Sequence, residues 1–383
     1  MRMALATNQD LAGLATSGIR RFTALANQTP GCVKLTLGEP EFDTPAPIRA
    51  AVSDSLVRGL THYPPNNGRP ELLCALSAYM GRQGLSYELG ELIVTCGATE
   101  ALAATLMSLL DPGDEVIVPT PAFGLYETIV RAAHGTVRSL DTSASGFQIA
   151  ADALEAAIGP RTKAIVITSP NNPTGCVYDR SSLDAVAGAQ TRHGLFVVCD
   201  DVYNRLAYTR GYERFAQVHP ECRDHTVVVD SFSKPWAMTG WRLGWLAADT
   251  PLKTQIEKMH QYLVSSVPAF VQDAAVVALS CDVEPMRQTY ERRREQVCAA
   301  LVDMGLPLVR PAGAFYAFPS IEGLGVGSEE FCERAIREGG VALVPGTCFG
   351  AEGYVRLSYC VSDEDLTLGL DRLARFIRGI SDR

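Results

Sequence analysis

Positive charge is scarce in this chain: 34 Lys and Arg stand against 43 Asp and Glu, a formal net charge of −9. Nucleic acid as the main partner needs a basic footprint for counterion release, so that class is disfavoured and only a local basic pocket stays open. Long apolar runs are missing too. Even 101–110 is broken by Thr and Ser, well short of the roughly 18 residues of a membrane span, so no membrane partner is expected. The charged-then-apolar order of a secretory signal is lacking, because the basic pair Arg20-Arg21 follows the mild apolar stretch. Eleven cysteines include no Cys-x-x-Cys pair, and six histidines form no His-Glu-x-x-His pattern. Neither a disulfide framework nor a zinc site is expected, and reduced thiols fit a cytoplasmic compartment. A phosphate loop of the Gly-x-x-x-x-Gly-Lys type is absent, and Gly323-Leu-Gly-Val-Gly-Ser328 fails the dinucleotide fingerprint at its last position. There is no Ser/Gly linker, low-complexity tract or solenoid repeat.

What is there is a soluble, globular composition: 383 residues, 47% apolar and 20% charged, long enough for about two domains. Leu92–Thr95, Glu115–Val118, Ala164–Ile167, Leu195–Val198 and Thr226–Val229 are short continuous runs, mostly β-branched. Such runs read as strands buried on both faces, hence a parallel sheet covered by helices. Helical stretches such as Asp152–Ile158 and Ser181–Ala189 lie between them, and Asp111-Pro-Gly-Asp114 reads as a turn. Past residue 280 the texture changes. Glu284–Met304 reads as one long helix whose Arg292-Arg-Arg294 forms a solvated face. Short strands follow at Phe315–Phe318, Val341–Val344 and Tyr354–Tyr359, and a last helix begins at the capping pattern Ser362-x-x-Asp365. The fold class is α/β: a large, mostly parallel sheet of the seven-stranded type, plus a smaller α+β domain.

The segment that carries chemistry is Ser231-Phe-Ser-Lys-Pro-Trp-Ala-Met-Thr-Gly-Trp-Arg-Leu-Gly244. It follows a strand, so Lys234 stands just past a carboxyl end, where open α/β sheets bind ligands. A partly desolvated lysine near other cations can act as a Schiff-base nucleophile, and Arg242 with Ser231 and Ser233 can hold a phosphate. Asp200 and Tyr203 follow the run Leu195–Val198; an acid there binds a metal, caps a helix or pairs with a cationic ring nitrogen. Asn172, in Ser169-Pro-Asn-Asn-Pro-Thr-Gly175, reads alone as a turn residue. Gly97-Ala-Thr-Glu100 opens a helix whose N–H groups make an anion site, with helix capping by Thr99 the simpler reading.

Together these residues resemble the fold-type-I pyridoxal-phosphate enzymes, specifically the class I/II aminotransferase family. The resemblance runs from Ser17-Gly-Ile-Arg20 through Leu37-Gly-Glu-Pro-Glu-Phe-Asp-Thr-Pro45 to Tyr354-Val-Arg-Leu-Ser358. Its specific core is Ser-x-Ser-Lys followed by Gly-x-Arg-x-Gly, with Asn-Pro-Thr-Gly and Asp-x-x-Tyr in the family's order. The resemblance implies pyridoxal 5'-phosphate, no metal, and ping-pong transfer of an amino group from an L-amino acid to a 2-oxo acid. By it, Lys234 is the Schiff-base lysine and proton shuttle, Asp200 pairs with the pyridine nitrogen, and Tyr203 and Asn172 reach the ring's phenolic oxygen. Phe123 stacks on the ring, and Gly97, Ala98, Thr99, Ser231 and Arg242 hold the phosphate. Arg356 clamps the substrate's α-carboxylate beside Gly38 and Asn172, and Tyr63 reaches the phosphate of the other subunit of a homodimer. Cis peptides are implied before Pro173 and often before Pro121. Residues 1–14 would be an N-terminal arm, 46–283 the large cofactor domain, and 15–45 with 284–383 the small domain.

The same scaffold supports β-elimination, so a carbon–sulfur lyase is the runner-up. A cofactor- or metabolite-sensing regulator is the alternative of another class. It would carry an N-terminal DNA-binding module, for which the match starting near residue 17 leaves no room. No arginine lies between Arg242 and Arg287, where some aminotransferases hold a distal substrate carboxylate; Lys253, Lys258 and His260 are the only titratable basic groups there. Gly97–Glu100 offers no cation either. Neutral or aromatic amino donors are therefore expected over aspartate.

Overall fold

The computed structural model describes residues 8–14 and 17–381. The first seven residues of the expected arm, and residues 15 and 16 of the expected small domain, lie outside them. Seven strands form the large sheet: β1 (Leu92–Thr95), β2 (Glu115–Thr120), β3 (Thr136–Asp141), β4 (Thr162–Thr168), β5 (Phe196–Asp200), β6 (Thr226–Ser231) and β7 (Gly244–Ala247). Their order is β1-β7-β6-β5-β4-β2-β3. The β-branched runs are buried on both faces as expected, because helices cover the sheet above and below.

Two strands escaped the sequence pattern. The edge strand β3, Thr-Val-Arg-Ser-Leu-Asp, is mostly exposed or half-buried and so has no apolar run to read. β7, Gly-Trp-Leu-Ala, is fully buried but lacks β-branched residues. It also runs against its neighbours: β1 and β6 both pair with it antiparallel. The expectation that Leu92–Thr95 sits in a parallel ladder is thus corrected; its single ladder partner is the reversed strand. The reversal has a use. Thr95, Gly244 and Ser231 fall in one row, so β7 begins where β1 and β6 end and brings Arg242 to the same rim.

The second region is built on β8 (Tyr316–Ala317), β9 (Val344–Pro345) and β10 (Val355–Ser358), in order β9-β10-β8 and antiparallel. A two-residue parallel bridge joins Val33–Lys34 to Val341–Ala342. The expected run Val341–Val344 is therefore split between two sheets. Helix α1 (Gly18–Asn27) buries Phe22 and Ala26 against this region. The helix Glu284–Asp303 forms as expected, but its arginines do not make a solvated face. Arg293 and Arg294 are buried, Arg293 bridging Glu41 and Asp363, and only Arg292 is exposed. Tertiary packing explains it: a polar stretch can be laid against acids distant in sequence, here Glu41 and Asp363, that the local sequence does not reveal. The capping pattern holds, with the Asp365 N–H donating to Ser362 Oγ at 3.0 Å, and Leu366, Leu370, Leu373 and Ile377 are buried. No helix among the described residues is long and apolar enough to cross a membrane.

Candidate active site

A cavity of about 660 Å³ opens at the carboxyl ends of β2, β4, β5 and β6, where open α/β sheets bind ligands. It is lined by every cofactor and substrate residue named from the sequence except Gly97 and Tyr63, including Gly38, Ala98, Thr99, Phe123, Asn172, Asp200, Tyr203, Ser231, Lys234, Arg242 and Arg356. Gly97 lies just behind, under Arg242. Tyr63 does not line it. It is 90% exposed on another surface, in a shallow pocket with His62, Pro64, Pro65 and Ala269, so within its own chain it does not reach this cavity.

Lys234 stands three residues beyond the end of β6. Its Nζ donates to the Gly38 carbonyl at 2.7 Å. Burial pulls the amine down to about 8 from its usual 10.5; Arg356 and Arg242 lower it further, against the opposing pull of Cys360 and Glu39. A lysine poised there is a usable nucleophile and base near neutral pH.

Asp200 is the last residue of β5 and buried. One carboxylate oxygen accepts from the Tyr126 hydroxyl at 2.7 Å, and the other, Oδ1, has no partner among the described residues. Burial raises this carboxyl to about 6, with the Asp201 charge adding to the rise while Tyr126 and Lys234 oppose it. A buried acid with a free oxygen fits a cationic partner supplied by a ligand. It caps no helix, and no group of three or more metal-binding side chains occurs among the described residues. Tyr126 was missed in the sequence. It lies on the short helix Leu125–Ala132 and also contacts Thr168 Oγ1 at 2.6 Å. The signal available was a tyrosine three residues past Phe123 whose buried hydroxyl needs a partner.

The rim expected to bind an anion is assembled by close backbone approach. Helix α2 (Gly97–Leu109) starts at Gly97, with φ +75°, and a Cβ there would lie 2.9 Å from Arg242 Nη2. A Cβ on Gly244 would meet the Ala98 nitrogen, also at 2.9 Å. The missing side chain at Gly97 therefore lets the guanidinium cross the helix start, and the one at Gly244 lets the strand pass beneath it. Arg242 donates to the Thr239 carbonyl at 2.9 Å, and Ser231 Oγ accepts the Ser233 N–H at 3.0 Å. Thr99 does not cap this helix. Its N-cap, Cys96, makes no side-chain cap bond; Glu100 Oε2 accepts the Cys96 N–H at 3.0 Å, and Thr99, whose hydroxyl has no partner among the described residues, lines the cavity.

Arg356, on β10, is 1% exposed, yet it forms no ion pair with any described residue. Nη1 donates to Asn172 Oδ1 at 2.8 Å, Nη2 donates to the Thr36 carbonyl at 2.6 Å, and Nε has no partner. The rings of Tyr316 and Phe349 lie 4.5 and 4.8 Å from the guanidinium carbon. A buried cation solvated only by carbonyls and ring faces invites an anion. The Asn172 loop contains cis peptides before Pro170 and Pro173, and another lies before Pro121; the one before Pro170 was not foreseen. Tyr203 Oη meets Tyr316 Oη at 2.9 Å, and a Cβ on Gly38 would fall 1.8 Å from that Tyr316 oxygen. Gly38 is thus required by a close approach. Tyr316, Thr36 and Phe349 went unread because nothing local ties them to a strand end.

An acid awaiting a cation, a lysine with a lowered pKa and an anion rim at a helix start suit pyridoxal phosphate, and the fold is that of the type I enzymes using it. The chain matches the family Aminotransferase class I and II over residues 30–373. The Bacillus subtilis (strain 168) protein YugH is 42% identical over 369 residues, covering 94% of this chain and 95% of its own. The aspartate/prephenate aminotransferase of Thermus thermophilus is 39% identical, covering 92% and 93%. The solved aspartate aminotransferase from Thermus thermophilus with maleate superposes with a TM-score of 0.92 at 36% identity, over 97% of this chain and all of that one. The chain belongs to the class I and II aminotransferases. It is a transaminase, and its cofactor is pyridoxal phosphate.

Proposed function

We propose that this enzyme moves an amino group from a neutral or aromatic L-amino acid to a 2-oxo acid in two half-reactions at one site. The observation that carries the α-carboxylate part is Arg356, a buried guanidinium with no carboxylate partner among the described residues. Its planar fork suits a bidentate grip on the carboxylate common to amino and oxo acids, with Asn172 fixing its orientation at 2.8 Å. Bound in the cavity, the cofactor supplies an electron sink for the substrate's α-carbon. Asp200 would hold the ring's protonated nitrogen, Phe123 would cover its face, and Tyr203 and Asn172 would reach its phenolic oxygen. Gly97, Ala98, Thr99, Ser231 and Arg242 would hold its phosphate. Lys234 would take the proton from the α-carbon and return it two bonds away, across the amino nitrogen, and its lowered pKa supports that dual use.

Residues 46–283 would then act as the cofactor domain, and 15–45 with 284–383 as the small domain carrying Arg356. Tyr63, exposed and away from its own cavity, suits a contact across a homodimer.

Side-chain preference follows from counter-charges. Lys253 is buried against Glu257 at 2.8 Å, His260 lies between Glu100 and the Asn66 carbonyl, and Lys258 bonds Gln255. None of the three lines the cavity. A second carboxylate pressed into the interior would stay unpaired, which costs orders of magnitude in discrimination. Relatives at similar identity are named for aspartate, for aromatic amino acids, and for aspartate and prephenate, so identity alone does not fix the donor. Rapid-mixing half-reactions with phenylalanine, methionine, alanine and aspartate test this. Aspartate ahead by more than tenfold in kcat/KM would overturn the donor preference.

A further inference from the structure

Four cationic side chains line the cavity: Lys234, Arg242, Arg356 and Arg20. The first three have the duties already argued. Arg20 has none. It is exposed and makes no hydrogen bond or ion pair with any described residue, whereas its neighbour Arg21 is tied to Glu329 at 2.6 Å. Its position runs against helix energetics, because both arginines sit in the first turn of α1, which contains no acid. The positive end of the helix dipole disfavours cations there. Arg21 is neutralised by its partner, and Arg20 is left over.

Helix α1 is a wall of the cavity. Arg20, Thr23, Ala24 and Asn27 all line it, at the i, i+3, i+4, i+7 spacing of one helix face. The opposite face buries Phe22 and Ala26 in the small region. One turn past Arg20, about 5.4 Å along the axis, Thr23 Oγ1 touches Thr36 Oγ1 at 2.9 Å, and the Thr36 carbonyl accepts from Arg356 at 2.6 Å. Arg20 and Arg356 therefore belong to one connected wall, the first exposed near the mouth and the second buried.

We infer that Arg20 binds the distal carboxylate of a dicarboxylic 2-oxo acid whose α-carboxylate lies on Arg356. This rests on the reading of Arg356 as the α-carboxylate clamp. It also fits the donor preference. A counter-charge held by nothing can stay in solvent while a neutral or aromatic side chain fills the cavity, and turn inward for an acceptor long enough to reach the mouth. A five-carbon chain meets that reach better than a four-carbon one.

The experiment compares pyruvate, oxaloacetate and 2-oxoglutarate as acceptors in the wild type, Arg20→Ala, Arg20→Lys and Arg356→Gln, with binding of glutarate and butyrate measured by calorimetry. Arg20→Ala should raise the KM for 2-oxoglutarate tenfold or more, raise that for oxaloacetate less, and leave pyruvate within twofold. Glutarate binding should weaken while butyrate binding does not, and Arg20→Lys should recover part of the loss. Arg356→Gln should weaken all three acceptors alike; if it does not, the clamp reading fails, whatever Arg20 does. If Arg20→Ala changes pyruvate and 2-oxoglutarate equally, or changes neither, the inference is overturned.

Discussion

The floor and the mouth of the cavity are built differently. At the floor, Asp200 and Ser231 end adjacent parallel strands and are buried, and their spacing is set by sheet hydrogen bonds. Behind them Asp201, one residue past Asp200, is braced by Arg214 at 2.8 Å, and Asp230 accepts from Asn204 at 2.7 Å. At the mouth, the Arg20 side chain is exposed and tied to no described residue, and Leu37 is 43% exposed. A rigid floor suits a cofactor that stays bound through both half-reactions. A loosely held mouth suits two substrates that must alternate at one site. Chemistry should therefore be lost by touching the floor, and selectivity by touching the mouth.

The largest effect is expected at Lys234. Lys234→Ala removes attachment point and proton carrier together and should lower turnover about ten-thousand-fold or more. Borohydride treatment of the wild type should fix the cofactor on Lys234, and peptide mapping to another lysine would refute the assignment.

Next comes the pair Asp200 and Asp201, adjacent in sequence and opposite in consequence. Asp200→Ala should keep the fold and slow the proton-transfer half-reaction by about 100-fold or more, since the ring nitrogen loses its anion. Asp201→Ala should instead strand the buried Arg214, costing about 3–5 kcal/mol of stability while the surviving enzyme turns over. Single-turnover rates and denaturant melts separate the two, and interchanged phenotypes would invert the reading of β5.

Tyr63 tests whether the floor needs a second chain. Mixing Tyr63→Ala with Lys234→Ala subunits should restore about a quarter of wild-type activity, because half the dimers would hold one intact site. No recovery after verified exchange would mean that Tyr63 serves its own chain.

The mildest effect is in pH. Asp200's carboxyl is raised to about 6 from the usual 3.8, so the folded protein holds this proton more tightly than the unfolded chain. Its contribution is favourable at low pH and is lost as pH rises through about 6. A cationic ring offsets that loss, so the Tm gained on loading cofactor should be larger at pH 7.5 than at pH 5.5. Asp200→Asn should flatten the difference; an unchanged profile would assign it to another group.

Much of the floor was legible in the chain itself. β-Branched runs can be buried on both faces only in a helix-covered sheet, and residues just past such runs must stand at its carboxyl rim. Lys234, Asp200 and Asn172 could be located for that reason, and Ser-x-Ser-Lys with Gly-x-Arg-x-Gly narrowed the chemistry. The reversed direction of β7 was not legible, because Gly-Trp-Leu-Ala carries no alternation and strand direction is set by neighbours. Tyr126 on Asp200, Tyr316 against Gly38, and the burial of Arg293 likewise depend on contacts between segments far apart in sequence. Sequence by itself determined which groups were available and at which strand ends. Only the tertiary structure decided which charges are paired, because pairing is a property of distance, and it left Arg356 and Arg20 on one wall with no ion pair among the described residues.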